Sequence, residues 1–296
     1  MTPLREYHWP DGKSLRLGRK TLIMGILNVT PDSFSDGGRW NTIDRARRHA
    51  EEMIRDGADI IDIGAESSRP GFAPVPAAKE LERLLPFLEK VVPDIPAPVS
   101  IDTFKAETAA AALTCGVNII NDIHGLQYAA EPGQMAAIAA RSDVPVIVMH
   151  NQPDTNYSED ILSAMQAFFR RSRCIADKAG LRPENIILDP GIGFGKTPSD
   201  NLLVLKRLEE LASVDNAAYP LLLGTSRKSF IGAALGLPVD ERMEATGATC
   251  VLGILKGASI VRVHDVKPIA RMCRMTDAIL QAGAQSLSQE AVNGQN

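Results

Sequence analysis

Short apolar runs separated by longer amphipathic segments recur along the whole sequence. The runs lie at 21–29, 58–64, 98–102, 117–123, 144–150, 185–191, 220–226 and 258–265. They are rich in Ile and Val and nearly continuous, which is typical of parallel strands buried on both faces. The repeated strand–helix order indicates right-handed crossovers. Eight such units in 296 residues predict an α/β fold, a (β/α)8 TIM barrel over about 21–281, with a doubly wound sheet as the alternative.

The segments around these runs support the same architecture. Several helical patterns end where a glycine is expected as a C-cap, at Gly57, Gly116, Gly180 and Gly257. Residues 1–20 contain the turn sequence PDGK, which predicts a short hairpin before the first barrel strand. Because no stretch has the composition of a linker, we expect residues 1–296 to form a single domain.

Composition narrows the class of partner. The formal net charge is −4 and the sequence pI is about 5.8, so we expect no nucleic-acid partner. No run approaches the ~18 apolar residues of a membrane span, and the first residues lack an apolar leader. The four cysteines show neither metal-ligand nor redox spacing. These features predict a cytoplasmic protein that does not enter the membrane.

Polar side chains cluster where the predicted strands end. Catalytic residues of TIM barrels gather at the carboxyl ends of the strands. The strand-end residues in this sequence are Asn28, Asp62, Asp102, Asn121, Asp122, His150, Asp189, Ser226, Arg227, Lys228, Arg262 and His264. One Asp after a strand is as readily explained as a helix N-cap. A complete set at one rim indicates a polar ligand instead, because buried polar groups need partners.

The residue types at this rim form two chemical groups. Two carboxylates and an amide suit a flat heterocycle with several N–H groups, and these are Asp102, Asn121 and Asp189. The cationic side chains suit a phosphate or diphosphate, and these are Lys228, Arg262 and His264. Asn28 is suited to help place Mg2+, which takes few protein ligands. The predicted substrate is a heterocycle that carries an activated leaving group.

Two segments resemble nucleotide-binding motifs but lack residues that those motifs require. The segment GIGFGKT (191–197) resembles a phosphate-binding loop, but Pro190 stands where that pattern requires Gly. The segment GADIIDIGAES (57–67) lacks the GxGxxG fingerprint of a dinucleotide site. Neither segment supports a nucleotide site.

Seven motifs in order resemble those of one family. They are MGILNVTPDSFSDGG (24–38), DIGAESSRPG (62–71), SIDTFKAE, NIINDIHG, LDPGIGFGK, GTSRKSFIG and IVRVHDV. This set resembles the dihydropteroate synthases over about residues 21–281. The resemblance implies a TIM barrel that joins 6-hydroxymethyl-7,8-dihydropterin diphosphate to 4-aminobenzoate with the help of Mg2+. It also implies a homodimer that packs through the last barrel helices.

The resemblance assigns roles to residues of this sequence. It implies a pterin site formed by Asp102, Asn121, Asp189 and Lys228. It implies a diphosphate site of Arg262, His264 and Asn28, with Asn28 also as metal ligand. It implies a 4-aminobenzoate pocket of Ser68, Arg69, Pro70, Phe194 and Ser229. The residues expected to act in catalysis are Lys228, Arg262, His264 and Asp102. A closing first loop is expected to contain Asp32, Ser33, Phe34 and Ser35.

The sequence departs from the family pattern in two places, and other functions remain open. Ala65 and Ser68 replace a usual Gly and Thr, and the loop after His150 reads differently. A non-catalytic pterin-binding paralogue and a methyltetrahydrofolate methyltransferase-type domain are the alternatives. The second has no diphosphate to bind, so it would leave GTSRKSF and RVHDV without a purpose. A sugar-phosphate aldolase is a further alternative on fold alone.

Overall fold

A computed structural model describes residues 3–29, 39–65 and 75–282 of the chain. Its first two strands, β1 (Arg5–His8) and β2 (Ser14–Leu17), pair antiparallel. This pair confirms the hairpin that the sequence predicts before the barrel. Residues 66–74, which include Ser68, Arg69 and Pro70, lie outside the described residues, as do residues 30–38 with the predicted first loop.

Eight parallel strands of the described chain close into a barrel. The remaining strands are β3 (Leu22–Asn28), β4 (Ile60–Gly64), β5 (Val99–Asp102), β6 (Ile119–Asp122), β7 (Val146–Met149), β8 (Ile186–Asp189), β9 (Ser213–Val214), β10 (Ala217–Ala218), β11 (Leu221–Leu223) and β12 (Ala258–Val263). The closed order is β11-β12-β3-β4-β5-β6-β7-β8, while β9 and β10 form a separate hairpin. This order confirms the (β/α)8 TIM barrel and excludes the doubly wound sheet, which is open.

Helices surround the barrel. Within the described residues they are α1 (Arg39–Asp56), α2 (Ala77–Val91), α3 (Ala106–Thr114), α4 (Gln134–Ser142), α5 (Ile161–Ala179), α6 (Pro198–Lys206), α7 (Ser229–Leu235), α8 (Met243–Leu255) and α9 (Val266–Gln281). Helix α5 ends at Gly180 with φ of 76°, as its sequence predicts. A capping box between Thr197 and Asp200 starts α6. None of the helices described is long and apolar enough to cross a membrane.

The core has two layers, and the inner one closes one end of the barrel. Strands contribute inward side chains such as Met24, Ile119 and Ile187, which are all fully buried. Leu15 and Leu17 of the hairpin pack against the same cluster from the amino end. The second layer packs the outer faces of the strands against the helices. Because the amino end is filled, the open rim lies at the carboxyl ends of the strands.

Strand register brings the polar strand ends together at that rim. Asp102 is the register partner of Asn121, and Met149 is the partner of Asp189. Asn28 is the partner of Gly64, where β3 and β4 end. Parallel strands all end on the same side, so the residues that follow them face one another.

Candidate active site

Arg262 of β12 connects two carboxylates at the rim. Its Nε lies 2.6 Å from Asp62 Oδ2 and its Nη2 lies 2.7 Å from Asp102 Oδ2. Asn121 Nδ2 donates to the same Asp62 oxygen at 3.2 Å. Burial acts to lower the pKa of Arg262, but the carboxylates of Asp62 and Asp102 outweigh it and raise that pKa. The guanidinium therefore remains charged inside the barrel mouth.

Asp189 ends β8, and Lys228 lies in the loop that follows the neighbouring strand β11, at the N-cap of α7. Asp189 Oδ1 accepts a hydrogen bond from Gly191 N at 2.7 Å, and burial raises the pKa of this carboxyl against the effect of Lys228. Lys228 Nζ donates to the carbonyl of Ile192 and lies 4.9 Å from the centre of the Phe194 ring. Burial lowers the pKa of Lys228 to about 8, although Asp189 opposes this shift.

His264 is oriented by the loop that follows β11. Its Nδ1 lies 2.9 Å from Ser226 Oγ, which also accepts a hydrogen bond from the backbone N–H of His264 at 3.2 Å. Arg227 and Asp265, which directly follow Ser226 and His264, form a second link between the two loops. Arg227 Nε lies 2.9 Å from Asp265 Oδ2, and Nη2 lies 2.5 Å from Oδ1. Arg227 has φ of 58°, a left-handed conformation that turns the chain sharply between Ser226 and Lys228.

The other predicted residues occupy the edge of this rim. Asn28 is exposed at the end of β3, and Ser229 is exposed as the first residue of α7. Phe194 is half-buried and packs against an apolar cluster of Phe104, Ile123 and Met149. All the predicted site residues that the structure describes therefore lie at or beside this rim. Ser68, Arg69 and Pro70 lie outside the described segments.

Sequence reasoning missed two features of the rim. The apolar cluster formed by Phe104, Ile123 and Met149 is one. Its signal was that these apolar residues follow or immediately adjoin the polar strand ends. The second is Lys196, which is 7% exposed and lies among backbone carbonyls below Phe194. The motif LDPGIGFGK ends at Lys196, but neither its resemblance to the family nor the nucleotide-loop pattern assigns this side chain a role.

Comparison with known proteins identifies the family. The pterin binding enzyme family matches residues 24–264. The dihydropteroate synthase of Bacillus subtilis is 52% identical over 270 residues, which cover 91% of this chain and 92% of that protein. A crystal structure of the Clostridium difficile dihydropteroate synthase in the presence of pteroic acid is 49% identical with a TM-score of 0.84, and covers 89% of this chain and 98% of that one. The structure of the Xanthomonas albilineans dihydropteroate synthase with 4-aminobenzoic acid is 36% identical with a TM-score of 0.85. The match covers 95% of this chain and 99% of that one. This chain belongs to the pterin-binding enzymes and, among them, to the dihydropteroate synthases, which are transferases.

Proposed function

We propose that the carboxyl rim of the barrel joins 6-hydroxymethyl-7,8-dihydropterin diphosphate to 4-aminobenzoate, with release of 7,8-dihydropteroate and diphosphate. One observation carries the assignment of this rim. Carboxylates, an amide and cationic groups from β4, β5, β6, β8, β12 and the loop after β11 meet at one buried mouth. Such a mouth suits a substrate with a polar heterocycle at one end and an anion at the other.

The pterin would lie among Asp102, Asn121, Asp189 and Lys228. Its ring offers several N–H donors, and carboxylate and amide oxygens are the matching acceptors. Asp62 adds a further acceptor, because its Oδ1 is buried and accepts no hydrogen bond from the residues that the structure describes. A buried oxygen of this kind is costly unless a ligand supplies a donor. The apolar cluster that contains Met149, the register partner of Asp189, offers a surface for the flat ring.

The diphosphate would be held by Arg262, His264 and Asn28. As the bond to the methylene carbon breaks, negative charge collects on the leaving diphosphate, and fixed cations stabilise it. Positive charge then spreads from the methylene carbon into the pterin, where Asp102 and Asp189 favour it. Arg262 contacts Asp102 directly, which supports a site that offers charges of both signs to the substrate.

The residues present fit a Mg2+ that arrives with the diphosphate. The described residues contain no group of three or more His, Cys, Asp or Glu side chains that could hold a metal. Asn28 supplies one exposed amide oxygen, and Mg2+ commonly takes few protein ligands and completes its shell with waters and phosphate oxygens. When bound, the ion would offset charge on the leaving group.

The 4-aminobenzoate would lie against Phe194 and Ser229, with Ser68, Arg69 and Pro70 completing the pocket. Its amine is nucleophilic when neutral, so the step requires no strong general base. The lone pair forms a bond to the methylene carbon as diphosphate departs, and the proton of the resulting ammonium passes to solvent. The Xanthomonas albilineans relative has been crystallised with 4-aminobenzoic acid, which supports this choice of second substrate.

We also propose that the chain forms a homodimer in the cytoplasm. Helices α8 and α9 pack against each other and leave large apolar side chains exposed, namely Leu252, Leu255, Met275, Ile279 and Leu280. Such a face suits a second copy of the same chain. All four cysteines are free, which fits a reducing compartment.

Diphosphate release measured with and without 4-aminobenzoate tests the function. With the pterin diphosphate and Mg2+, we expect release that depends on aminobenzoate and equals the amount of dihydropteroate formed. Tight pterin binding without such release would contradict the proposal and favour the non-catalytic paralogue. Methyl transfer from methyltetrahydrofolate would instead favour the methyltransferase type.

A further inference from the structure

Lys196 lies in a buried cage of three acceptors. Its Nζ is 3.0 Å from the carbonyl oxygen of Gly191, 3.0 Å from that of Phe194 and 2.9 Å from His150 Nδ1. Lys196 is 7% exposed and His150 is 2% exposed. Burial lowers the pKa of Lys196 to about 7, and in its protonated form the ammonium has three N–H donors, so the three acceptors match that form one for one.

His150 is suited to the acceptor role. Burial lowers the pKa of its imidazole to about 2, with Lys196 acting in the same direction, so the ring stays neutral. Since Nδ1 accepts from Lys196, the ring proton belongs on Nε2. The ring also packs against Phe168, with centroids 4.9 Å apart, which fixes its orientation. His150 therefore has a structural role as the acceptor for Lys196, although the proposed reaction assigns it none.

The loop around Lys196 has little freedom to take another shape. Gly191, Gly193 and Gly195 all have positive φ, at 62°, 86° and 55°. A Cβ on Gly191 would lie 1.9 Å from the carbonyl oxygen of His150, so only glycine fits there. In this backbone shape, the carbonyls of Gly191 and Phe194 point toward the Lys196 ammonium.

The opposite face of this loop contacts the proposed substrate site. The carbonyl of Ile192 accepts the hydrogen bond of Lys228, and the ring of Phe194 lies beside the same ammonium. The N–H of Gly191 donates to Asp189 at 2.7 Å. A change in the loop would therefore move the groups proposed to contact both substrates.

We infer that Lys196, with His150 as its acceptor, is a positioning residue that holds residues 191–195 in the shape that places Phe194 for 4-aminobenzoate and Lys228 for the pterin. This inference rests on the proposed function. Lys196 touches neither substrate, and its effect passes through the loop backbone. It gives the lysine of the GIGFGKT segment a purpose unrelated to nucleotide phosphates.

Two variants test the role. Lys196→Met keeps the length and apolar stem of the side chain but removes the three donors. His150→Phe keeps a ring against Phe168 but removes the acceptor. Lys178→Met is the matched control, because Lys178 is exposed on the outer helix α5. Each protein is assayed for kcat and for KM of both substrates, and amide hydrogen exchange is followed in the peptide that covers 188–197.

For Lys196→Met we expect the KM for 4-aminobenzoate to rise about tenfold or more, as the loss of charged hydrogen bonds implies. Exchange in the 188–197 peptide should become faster, while peptides of the barrel core keep their rates. His150→Phe should show the same changes in smaller measure, and the double variant should be no worse than Lys196→Met alone. Lys178→Met should match the native protein.

The inference is overturned if folded Lys196→Met keeps both KM values within twofold of native and leaves exchange in 188–197 unchanged. If Lys196→Met does not fold, His150→Phe decides the question by the same two measurements. Failure of the proposed function is distinguishable, because it would appear as absent aminobenzoate-dependent diphosphate release in the native chain. The exchange result would then still decide whether Lys196 holds the loop.

Discussion

Arg262 donates a hydrogen bond to Asp102 across the barrel mouth, with Nη2 2.7 Å from Oδ2. One of these residues is proposed to hold the diphosphate and the other the pterin. Asp62 accepts a hydrogen bond from Nε of the same guanidinium at 2.6 Å. If the substrate binds as proposed, these three side chains act as one unit, and a change in any of them should alter how the other two meet the substrate.

Asp62 should matter because it orients Arg262 and Asn121 together. In Asp62→Asn we expect kcat/KM for the pterin diphosphate to fall about tenfold or more, since a misplaced cation stabilises the leaving group poorly. Steady-state kinetics measures this, with Asp177→Asn on the exposed surface of α5 as the control. Unchanged kinetics in Asp62→Asn would contradict this role and show that Asp102 alone suffices to orient the arginine.

Lys228 and Arg262 should supply most of the fixed positive charge. We expect Lys228→Ala and Arg262→Ala each to reduce turnover by roughly 10²-fold or more while circular dichroism shows an intact fold. Lys206→Ala, on an exposed position of α6, should keep native turnover. A near-native rate in either site variant would remove that residue from the proposed mechanism.

Binding of the pterin diphosphate should weaken as pH rises through about 8. Burial lowers the pKa of Lys228 to about 8, so the folded protein loses this charge well below the ordinary lysine value. The same shift makes its contribution to stability more favourable as pH rises from about 8 toward 10.5, because the unfolded chain still binds the proton there.

Calorimetric Kd values between pH 7 and pH 9.5 measure the effect on binding, with Lys228→Arg as the comparison variant. An arginine stays protonated throughout, so the weakening near pH 8 should disappear. A change in Kd near pH 7 should persist in Lys228→Arg, because burial lowers the pKa of Lys196 to about 7 and this variant leaves Lys196 in place. Equal pH dependence in the native and Lys228→Arg proteins would contradict the assignment.

The apolar face of α8 and α9 should hold the dimer together. We expect sedimentation to show a dimer for the native chain and a monomer for Leu255→Asp or Ile279→Asp at micromolar concentration, since a buried unpaired carboxylate is costly. Leu202→Asp is the control, because Leu202 is 48% exposed but belongs to α6 and not to α8 or α9. A native chain that sediments as a monomer would refute the proposed homodimer.

The sequence predicted the architecture because burial leaves a strong local pattern. Each apolar run became a barrel strand, although the run at 220–226 yielded only Leu221–Leu223. Thr225 and Ser226 are still buried after the chain has left the sheet, so burial does not mark the strand end. Gly180 was predictable as a C-cap for a comparable reason, since only glycine readily adopts its left-handed conformation.

The partners within the site were not predictable in the same way. Arg262 pairs with Asp62 and Asp102, which lie 200 and 160 residues earlier in the chain. No spacing in the sequence indicates which of several carboxylates an arginine will contact. The cage around Lys196 depends on backbone carbonyls, whose direction follows from the positive φ of the alternate glycines Gly191, Gly193 and Gly195.

The filled amino end of the barrel separates the residues that hold the barrel together from the residues that form its mouth. Substitutions in the hairpin or in the inner layer alter the core, whereas substitutions in a rim loop alter only the entrance. The stretch after His150 departs from the family pattern, yet Ile147 beneath it remains fully buried in the common core. Changes in the loops of the entrance are therefore expected to alter how the chain responds to competing ligands without disturbing the barrel core.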